Sequence, residues 1–386
     1  MEEEVLSPIT GLNNVKKLNE FPISITSESN LTNEKVSNYI CLDSGLIFNN
    51  DGARGNEEEF YEEEYDLHNE NDLSEFKYLS NEGYLGIYDN ILNFIEPEIS
   101  SSISGNILDI GCGKGLLLRN FSQRYPKWNL FGIEPSKKAS LYHKRIIPSA
   151  NIHNGGFEDA IFEKNKFDVI FSNGVLEHVP KPLEFLKFTR NRLKDNGICF
   201  IGVPNFKNNP VDMFTYDHLS RFTTDTLEGL FNLTGFNIIA KDASSNKVPM
   251  WYLIRKTNTL HKKVNVNIEK QIKVFKQNFN QVNSSINSIS KCLKTHENEK
   301  IVVYGTGSIF TIACKLKKLN YKSILCFVDD NDSIVGSSKM GIMVKKSEFI
   351  SENRIKNIII SSNPCYHEQI KSKLTSLNIN DLKIYR

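Results

Sequence analysis

The pattern of apolar and polar residues changes its period several times along the chain. From about residue 82, short apolar runs alternate with segments of helical period, which is typical of a parallel sheet covered by helices on both faces. The predicted strands cover residues 106–110, 130–133, 167–172, 198–203, 236–240 and 250–254. The predicted helices cover residues 116–124, 136–144, 182–193 and 224–233, with Thr223 as the expected N-cap of the last. We therefore predict a doubly wound α/β domain over residues 56–255.

A heptad pattern follows this domain, at residues 256–298. Its apolar positions, spaced alternately four and three apart, are Ile268, Ile272, Phe275, Phe279, Val282, Ile286, Ile289 and Leu293. Such a seam predicts a long helix. The seam packs either on a dimer partner or on the chain's own flanking domains, and the pattern alone leaves both open.

Smaller units are predicted at the two ends of the chain. Strand and helix patterns alternate again over residues 299–386, which indicates a second, smaller α/β domain. Residues 1–55 contain two short apolar pieces, 39–42 and 45–48, that predict a small hairpin. An acidic run at 57–66 is interpreted as a solvated helical face, or alternatively as a segment that places Tyr61 or Tyr65 over a substrate pocket.

Composition excludes several classes of function. The 386 residues include 47 Lys plus Arg against 46 Asp plus Glu, so no net field favours a nucleic acid or an anionic membrane. No apolar stretch approaches the length of a membrane span, and the first residues do not resemble a signal peptide. The seven cysteines form no CxxC pair, which suits reduced thiols. We expect a cytoplasmic protein without a membrane span.

The strongest chemical signal is a glycine-rich turn after the first strand of the central domain. Residues 107–115 read ILDIGCGKG, so glycines stand at alternate positions where a backbone can approach a flat ligand. The GxGxG spacing differs from the GxGxxG of dinucleotide sites, and Asp109 precedes the turn. A carboxylate there repels a pyrophosphate but favours an ammonium and a sulfonium. Glu134, at the end of the next strand, suits the two ribose hydroxyls. This chemistry indicates S-adenosylmethionine.

These motifs carry a family resemblance: residues 82–255 resemble a class I S-adenosylmethionine-dependent methyltransferase with its Rossmann-like sheet. LDIGCGKG resembles the first motif of that family and FGIEPS the second. The resemblance also implies that strand seven, residues 250–254, is antiparallel at the sheet edge. It implies three groups of cofactor-binding residues. Phe157 and Glu158 would lie near adenine, and Asn173 near the methionine part. The others are Asp109, Gly111, Cys112, Gly113 and Glu134.

The candidate catalytic residues are histidines at strand ends. His218 and Asp217 lie in the long loop after the predicted strand 198–203, in a stretch that resembles a motif of sugar methyltransferases, including those that methylate carbon in nucleotide-bound deoxysugars. His218 is the first candidate base, and Tyr216 and Arg221 beside it are candidate substrate contacts. His178 is the second candidate, although its motif also fits a role in cofactor-side architecture.

The chain ends resemble parts of the same sugar-modifying enzymes. Residues 39–48 resemble half of a small zinc-binding module, but Ser44 replaces its second cysteine, so we assign no metal and expect the hairpin to hold by packing. Residues 299–386 resemble a nucleotide-fold domain in which Phe310 replaces the third glycine, which argues against a redox cofactor. We interpret this domain as a wall of the substrate site or an interaction surface. Its candidate contacts are Ser361, Ser362, Asn363 and Tyr366.

The sequence therefore predicts a methyltransferase that acts on a nucleotide-linked sugar, or on another small activated precursor of surface glycan or natural-product biosynthesis. We expect the methyl acceptor to be a hydroxyl group, and an amine or a carbon is the next most favoured acceptor. The alternative is a catalytically inactive scaffold of the same fold, which assembles through the heptad helix and the C-terminal domain, for example as a homodimer. A third hypothesis, an NAD-dependent oxidoreductase in the C-terminal domain, is disfavoured by the missing glycine.

Overall fold

In the computed structural model, the described residues form three larger β-sheets, of four, seven and six strands, and two two-stranded sheets. The structure describes residues 4–51, 77–80, 83–99, 102–160, 162, 166–245, 247–259 and 265–386. Within these residues, no helix combines the length and the apolar character that a bilayer crossing needs.

The N-terminal part forms short antiparallel strands. They are β1 Val15–Phe21, β2 Ser24–Ile25, β3 Leu31–Thr32, β4 Val36–Cys41 and β5 Ile47–Asn49. The hairpin β4–β5 pairs Tyr39 with Phe48, and β1 adds to its other side. Cys41 and Ser44, at the degenerate zinc position, are buried in this hairpin, and Ile40 belongs to the core beneath it. The small sheet is therefore packed on an apolar core.

The central domain contains most of the helices and strands. Its elements are β6 Lys77–Ser80, β7 Gly83–Gly86, α1 Ile87–Ile99, β8 Asn106–Ile110, α2 Leu116–Arg124, β9 Asn129–Glu134, α3 Lys137–Ile146, β10 Asn151–Asn154, β11 Phe167–Asn173, α4 Pro182–Arg192, β12 Leu193–Pro204, β13 Ser220–Arg221, α5 Thr224–Leu233, β14 Phe236–Asp242 and β15 Pro249–Lys256. A 3₁₀ turn, Pro210–Phe214, lies between β12 and β13. Thr223 caps α5 through a capping box with Thr226, as its position in the sequence predicts.

The seven-stranded sheet has the order β10-β9-β8-β11-β12-β15-β14, with parallel pairing from β10 through β12. Successive residues of a strand face opposite sides of a sheet. Accordingly Leu108 of β8 lies in a core with Phe185 of α4, whereas Ile107 lies in a second core with Phe121 of α2. This doubly wound α/β architecture confirms the predicted fold class.

The position of the seventh strand differs from the expectation. β15 is antiparallel, as predicted, but it lies between β12 and β14, and β14 forms the edge. The burial patterns give the physical reason: residues 250–254 of β15 are all buried, whereas Asn237 and Ile238 of β14 are exposed. A fully buried apolar strand gains most from neighbours on both sides, and a partly polar strand tolerates the edge.

The heptad pattern lies on a 28-residue helix, α6 Ile268–Thr295, whose N-cap Asn267 accepts a hydrogen bond from the N–H of Lys270. Its seam packs in a single core together with the N-terminal sheet, the loop after β12 and the C-terminal domain. Phe275 and Phe279, for example, stack near Phe206 and Phe21 respectively. The heptad pattern left open whether the seam packs on a dimer partner or on the chain itself. In the structure it packs on the chain's own flanking parts. A homodimer through this seam would need to displace them.

The C-terminal part is a second α/β unit. Its elements are β16 Ile301–Tyr304, α7 Ser308–Lys317, β17 Ile324–Asp329, β18 Ser338–Lys339, β19 Ile342–Lys346, α8 Phe349–Glu352, β20 Asn357–Ile360, α9 His367–Ser376 and β21 Lys383–Tyr385. The sheet order is β18-β19-β17-β16-β20-β21, and all its pairs are parallel except β18–β19. The turn after β16 faces the central domain and so contributes to the site described next.

Candidate active site

The glycine turn between β8 and α2 depends on left-handed backbone. Gly111, Gly113 and Gly115 have φ values of 73°, 52° and 86°. A Cβ on Gly111 would lie 2.4 Å from Cγ2 of Val175, so the turn and the chain after β11 approach each other too closely for a side chain. Both requirements explain the glycine at position 111.

Two buried carboxylates flank this turn. Glu134 accepts a 2.7 Å hydrogen bond from the N–H of Gly113 and a 2.9 Å bond from the N–H of Ser136. Burial raises the pKa of Glu134, and burial together with the charge of Glu134 raises the pKa of Asp109. Two acids in one region of low dielectric favour a ligand that brings positive charge and hydroxyl donors.

A histidine that sequence reasoning missed supports the same turn. His143 of α3 is buried, and its Nε2 lies 2.7 Å from the carbonyl oxygen of Gly113 and 4.0 Å from Sγ of Cys112. Burial lowers the pKa of His143, so the neutral ring donates its N–H to that carbonyl. The sequence offered one indication of this burial: His143 follows Ala139 by four residues and so lies on the same, buried face of α3.

The remaining predicted cofactor residues lie around the same edge of the sheet. Asn173 ends β11, next to β8, and its Oδ1 is directed at Gly202 of β12, where a Cβ would approach it to 2.3 Å. The Phe157 ring packs edge-on against Phe185 at 5.1 Å between centroids, and Glu158 is exposed. Contacts of these side chains with a cofactor stay predictions.

The loop after β12, residues 205–223, is held by the N-terminal sheet. Its strand β13 pairs with β5, which makes it the fourth strand of that sheet. The N–H of Tyr216 donates to the carbonyl of Ile25 at 2.7 Å, and Asn49 Nδ2 donates to the carbonyl of Tyr216 at 2.6 Å. Asp217 accepts from the N–H of Ser27 at 2.7 Å and from its hydroxyl at 2.6 Å. Strand β5 of the N-terminal sheet, together with β2 and the turn after it, therefore positions the segment that carries His218.

Arg221 has a different place from the one predicted. Its side chain has 0% exposure, and its guanidinium donates to the carbonyls of Asp212, Thr215 and His218 at 3.0 to 3.1 Å. A guanidinium turned inward onto three carbonyls of its own loop holds the loop in shape. The prediction that Arg221 contacts a substrate is therefore wrong: a buried side chain directed into the loop presents no surface to one.

His218 forms the centre of a buried polar cluster. Its Nδ1 lies 2.5 Å from Oδ1 of Asp212, a residue on the 3₁₀ turn that sequence reasoning missed. The His178 ring stands nearly perpendicular to it, with centroids 4.8 Å apart. His178 Nδ1 lies 2.9 Å from the carbonyl oxygen of Asp217, so the carbonyl, and not only the carboxylate, of Asp217 orients this cluster.

Electrostatics differ sharply between the two rings. Burial lowers the pKa of His218, but the charge and hydrogen bond of Asp212 outweigh burial and raise it to about 9. Burial and the neighbouring charge of His218 lower the pKa of His178. Burial raises the pKa of Glu177, beside them, to about 7. At neutral pH His218 therefore carries a proton, which it must lose before it can act as the predicted base.

A cavity of about 180 Å³ lies beside His218, between the central domain, the N-terminal segment and the C-terminal domain. It is lined by Ile25, Thr26, Ser27, Ser29, Asn209, Val211, Asp212, Thr215, His218, Gly307, Ser308, Ser361, Ser362 and Asn363. Asn363 Nδ2 donates to Asn209 Oδ1 at 2.8 Å across it. Three of the four predicted C-terminal contacts thus line this cavity, and Tyr366 does not. Tyr61 and Tyr65 lie outside the described residues.

Comparisons with known proteins agree with this geometry. Residues 83–241 match a family model described as "Methyltransferase domain", and residues 297–385 match one described as "C2185-like, N-terminal". The latter match does not confirm the predicted nucleotide-fold domain of sugar-modifying enzymes.

Two relatives and one solved structure illustrate the similarity. A tRNA U34 carboxymethyltransferase of Pseudoalteromonas atlantica is 34% identical over 108 residues, which cover 27% of this chain and 33% of that protein. The ubiquinone biosynthesis O-methyltransferase of Glaesserella parasuis is 29% identical over 123 residues, which cover 30% and 51% respectively. The plantazolicin methyltransferase BpumL, in complex with S-adenosylhomocysteine, aligns with a TM-score of 0.38 and 17% identity over 45% of this chain and 86% of that one.

The chain spans about half or less of the length of these curated relatives. The match of the family model coincides with the sheet, the glycine turn and the two acids described above. Residues 83–241 therefore form a methyltransferase domain of the class I, S-adenosylmethionine-dependent type.

Proposed function

We propose that this protein transfers a methyl group from S-adenosylmethionine to a small acceptor that lies between its methyltransferase domain and its C-terminal domain. The observation that carries the proposal is the cavity beside His218, which opens on the same loop that the methyltransferase sheet presents at its active edge. Ligands of open α/β sheets bind at the carboxyl ends of the strands.

The residues at the glycine turn fit S-adenosylmethionine. When bound, this cofactor supplies a methyl group on a positively charged sulfur. Glu134, now hydrogen-bonded to the N–H of Gly113, has the acceptor oxygens that two ribose hydroxyls require. The buried Asp109 supplies negative charge near the turn, where it suits the ammonium or the sulfonium. Left-handed Gly111 and Gly113 keep side chains out of the crevice.

The lining of the cavity supports a hydroxyl-rich acceptor. Ser27, Ser29, Ser308 and Ser362 line it together with Asn363, so hydroxyl and amide groups share one space. Groups of this kind pair with sugar hydroxyls. We therefore propose a nucleotide-linked sugar, or another small activated precursor of surface glycan or natural-product biosynthesis, that is methylated on a hydroxyl, with an amine or a carbon as alternatives.

The reaction requires the new bond to the methyl carbon to form as the carbon–sulfur bond breaks, while a proton leaves the acceptor hydroxyl. His218 faces the cavity, and Asp212 fixes the orientation of its ring through Nδ1. We propose that this pair orients the acceptor and handles its proton. Asp217, whose carboxylate is bound to Ser27, acts by positioning the loop rather than by touching the acceptor.

The test is calorimetric titration of the purified protein with S-adenosylmethionine and S-adenosylhomocysteine, with NAD and NADP as controls. We expect micromolar binding of the first pair alone, followed by methyl transfer from labelled cofactor to members of a panel of nucleotide sugars. No binding of either sulfur compound would contradict the proposal and favour a scaffold. Binding of NAD would instead favour an oxidoreductase.

A further inference from the structure

Three potential metal ligands converge next to the cavity. Glu177 and His178 follow β11, and His218 lies on the loop after β12; each offers one ligand atom, and these atoms lie within 4.8 Å of one another. Ligand atoms at about 2.0 to 2.2 Å from one tetrahedrally bound zinc ion lie about 3.3 to 3.6 Å apart. The widest pair therefore has to close by about 1.2 to 1.5 Å when an ion binds, which is somewhat over half an ångström of movement for each ligand atom.

The hydrogen bonds around the two histidines are those that metal-bound histidines use. A ligating imidazole typically donates its second N–H to a carboxylate or a backbone carbonyl, which fixes the ring and its tautomer. His218 Nδ1 meets the carboxylate of Asp212 at 2.5 Å, and His178 Nδ1 meets the carbonyl of Asp217 at 2.9 Å. In both rings Nδ1 is engaged in this way, so Nε2 is the nitrogen that coordinates.

Glu177 supplies a third, independent observation. Its residue exposure is 3%, and its Oε2 is buried without a hydrogen-bond partner among the residues that the structure describes. A buried carboxylate oxygen without a partner is costly, and native proteins seldom leave one unless an ion, a water or a ligand meets it. The orphaned oxygen belongs to the same cluster as the two rings.

Acidic side chains surround the two rings. Three buried carboxyl groups, those of Glu177, Asp212 and Asp217, lie in this region together with one buried guanidinium, that of Arg221. A divalent ion bound here would meet more acidic than basic side chains. A proton on His218 is the alternative counter-charge, and a bound metal ion displaces that proton.

We propose that Glu177, His178 and His218 bind one divalent transition-metal ion of the zinc type, with Asp212 and the carbonyl of Asp217 as the groups that orient the two rings. Two imidazoles and one carboxylate are a ligand set that such ions accept, and three protein ligands leave a further position for a small molecule. Because His218 lines the cavity, that position lies toward it. The role of the ion, to orient the acceptor and make its hydroxyl more acidic, rests on the proposed function; binding of the ion does not.

The experiment measures metal content and cobalt spectra of the full-length protein. Protein stripped with a chelator is dialysed against Zn²⁺, and we expect one bound equivalent by elemental analysis. Co²⁺ in its place should give visible absorption typical of nitrogen and oxygen ligands, without a sulfur charge-transfer band. H218A and E177Q should each lower the affinity by about 100-fold or more, and D212N, which keeps the shape of the side chain, by about 10- to 100-fold.

His296→Ala is the matched control. His296 is also buried, and its Nδ1 also meets a carboxylate, that of Glu299 at 2.8 Å, but its Nε2 is occupied by the hydroxyl of Tyr385 at 2.7 Å. This substitution should leave the metal content unchanged. Far less than one equivalent in the parent protein, equal binding in folded D212N and E177Q, or a thiolate-type cobalt spectrum would each overturn the proposal.

Calorimetry with S-adenosylhomocysteine on the same samples separates this proposal from the proposed function. Normal binding of S-adenosylhomocysteine without metal uptake overturns the metal site alone. Metal uptake by a protein that binds no S-adenosylhomocysteine supports the metal site and contradicts the proposed function.

Discussion

Ser27 and Asp217 are 190 positions apart in the chain, yet the carboxylate of Asp217 accepts both the N–H and the hydroxyl of Ser27. This pair joins the turn between β2 and β3 to the loop that carries His218. Asp217 has 1% exposure, so both bonds are sheltered from competing water. The turn between β2 and β3 is thus a support for the candidate active site.

Removal of the Ser27 hydroxyl should loosen this support. We expect Ser27→Ala to lower the free energy of unfolding by about 1 to 3 kcal/mol, because hydrogen bonds to a buried charge are worth that much. Turnover should fall while the affinity for S-adenosylmethionine is kept, since the cofactor residues lie on other elements. Denaturant unfolding, a methyl-transfer assay and calorimetry check the three parts.

Ser37→Ala is the matched control for this prediction. Ser37 lies on β4, also in the N-terminal part of the chain, but its hydroxyl donates to Glu20, whose side chain is 44% exposed, at 3.0 Å. We expect Ser37→Ala to lower the free energy of unfolding less than Ser27→Ala does. The turnover of the folded Ser37→Ala protein should equal that of the parent protein. Equal turnover in Ser27→Ala and the parent protein would show that the bond does not position His218.

Glu134→Ala should weaken binding of the cofactor. The side chain offers charged acceptors to ribose hydroxyls, and loss of such bonds costs about 1.5 to 3 kcal/mol, or roughly 10- to 150-fold in affinity. Calorimetric titration with S-adenosylhomocysteine measures the change. Glu184→Ala, an exposed position on α4, serves as control. An unchanged affinity in Glu134→Ala would place the ribose elsewhere.

Ile289→Ala tests the packing of the heptad helix. Ile289 has 0% exposure and lies in the core that joins α6 to the N-terminal sheet and the C-terminal domain. Truncation should cost about 2 to 5 kcal/mol of unfolding free energy and leave the sedimentation behaviour of the folded protein unchanged. Asn287→Ala, on the exposed side of the helix, should change neither. A shift in oligomeric state on truncation would instead identify the seam as a subunit interface.

Asp330 makes the stability of the C-terminal domain depend on pH. Burial tends to raise its pKa, but hydrogen bonds from Lys373, Ser347 and Tyr304 outweigh burial and hold the pKa below its ordinary value. A lowered pKa in the folded state means that the stabilisation is present above the unfolded value of about 3.9 and is lost as pH falls through the folded pKa.

We therefore expect the parent protein to melt at a higher temperature than Asp330→Asn at pH 7, with a difference that shrinks below about pH 4. Melting curves between pH 7 and pH 3 measure this difference. Asp332→Asn removes a carboxylate that is 79% exposed beside Lys346, and it should show little effect. A constant difference across the whole range would mean that the asparagine acts through shape rather than charge.

Local sequence patterns were sufficient for much of the central fold. The strand at 106–110 and the helices at 116–124 and 224–233 have the bounds that apolar periodicity and capping predict. The glycine turn could also be predicted, because only glycine readily adopts left-handed backbone and allows a neighbouring segment or a ligand to approach the backbone closely. These patterns depend on residues that are close in sequence, so they can be recognised without knowledge of the tertiary structure.

The tertiary structure alone decided which distant residues meet. Asp212 beside His218, Ser27 on Asp217, His143 under the glycine turn and the orphaned oxygen of Glu177 leave no local pattern. Arg221 could be read as a substrate contact until three backbone carbonyls were seen to surround it. The sequence by itself determined the elements and the cofactor turn, because periodicity and backbone freedom are local. The cavity and the histidine cluster were decided by long-range packing, since their partners come from the N-terminal sheet, the loop after β12 and the C-terminal domain at once.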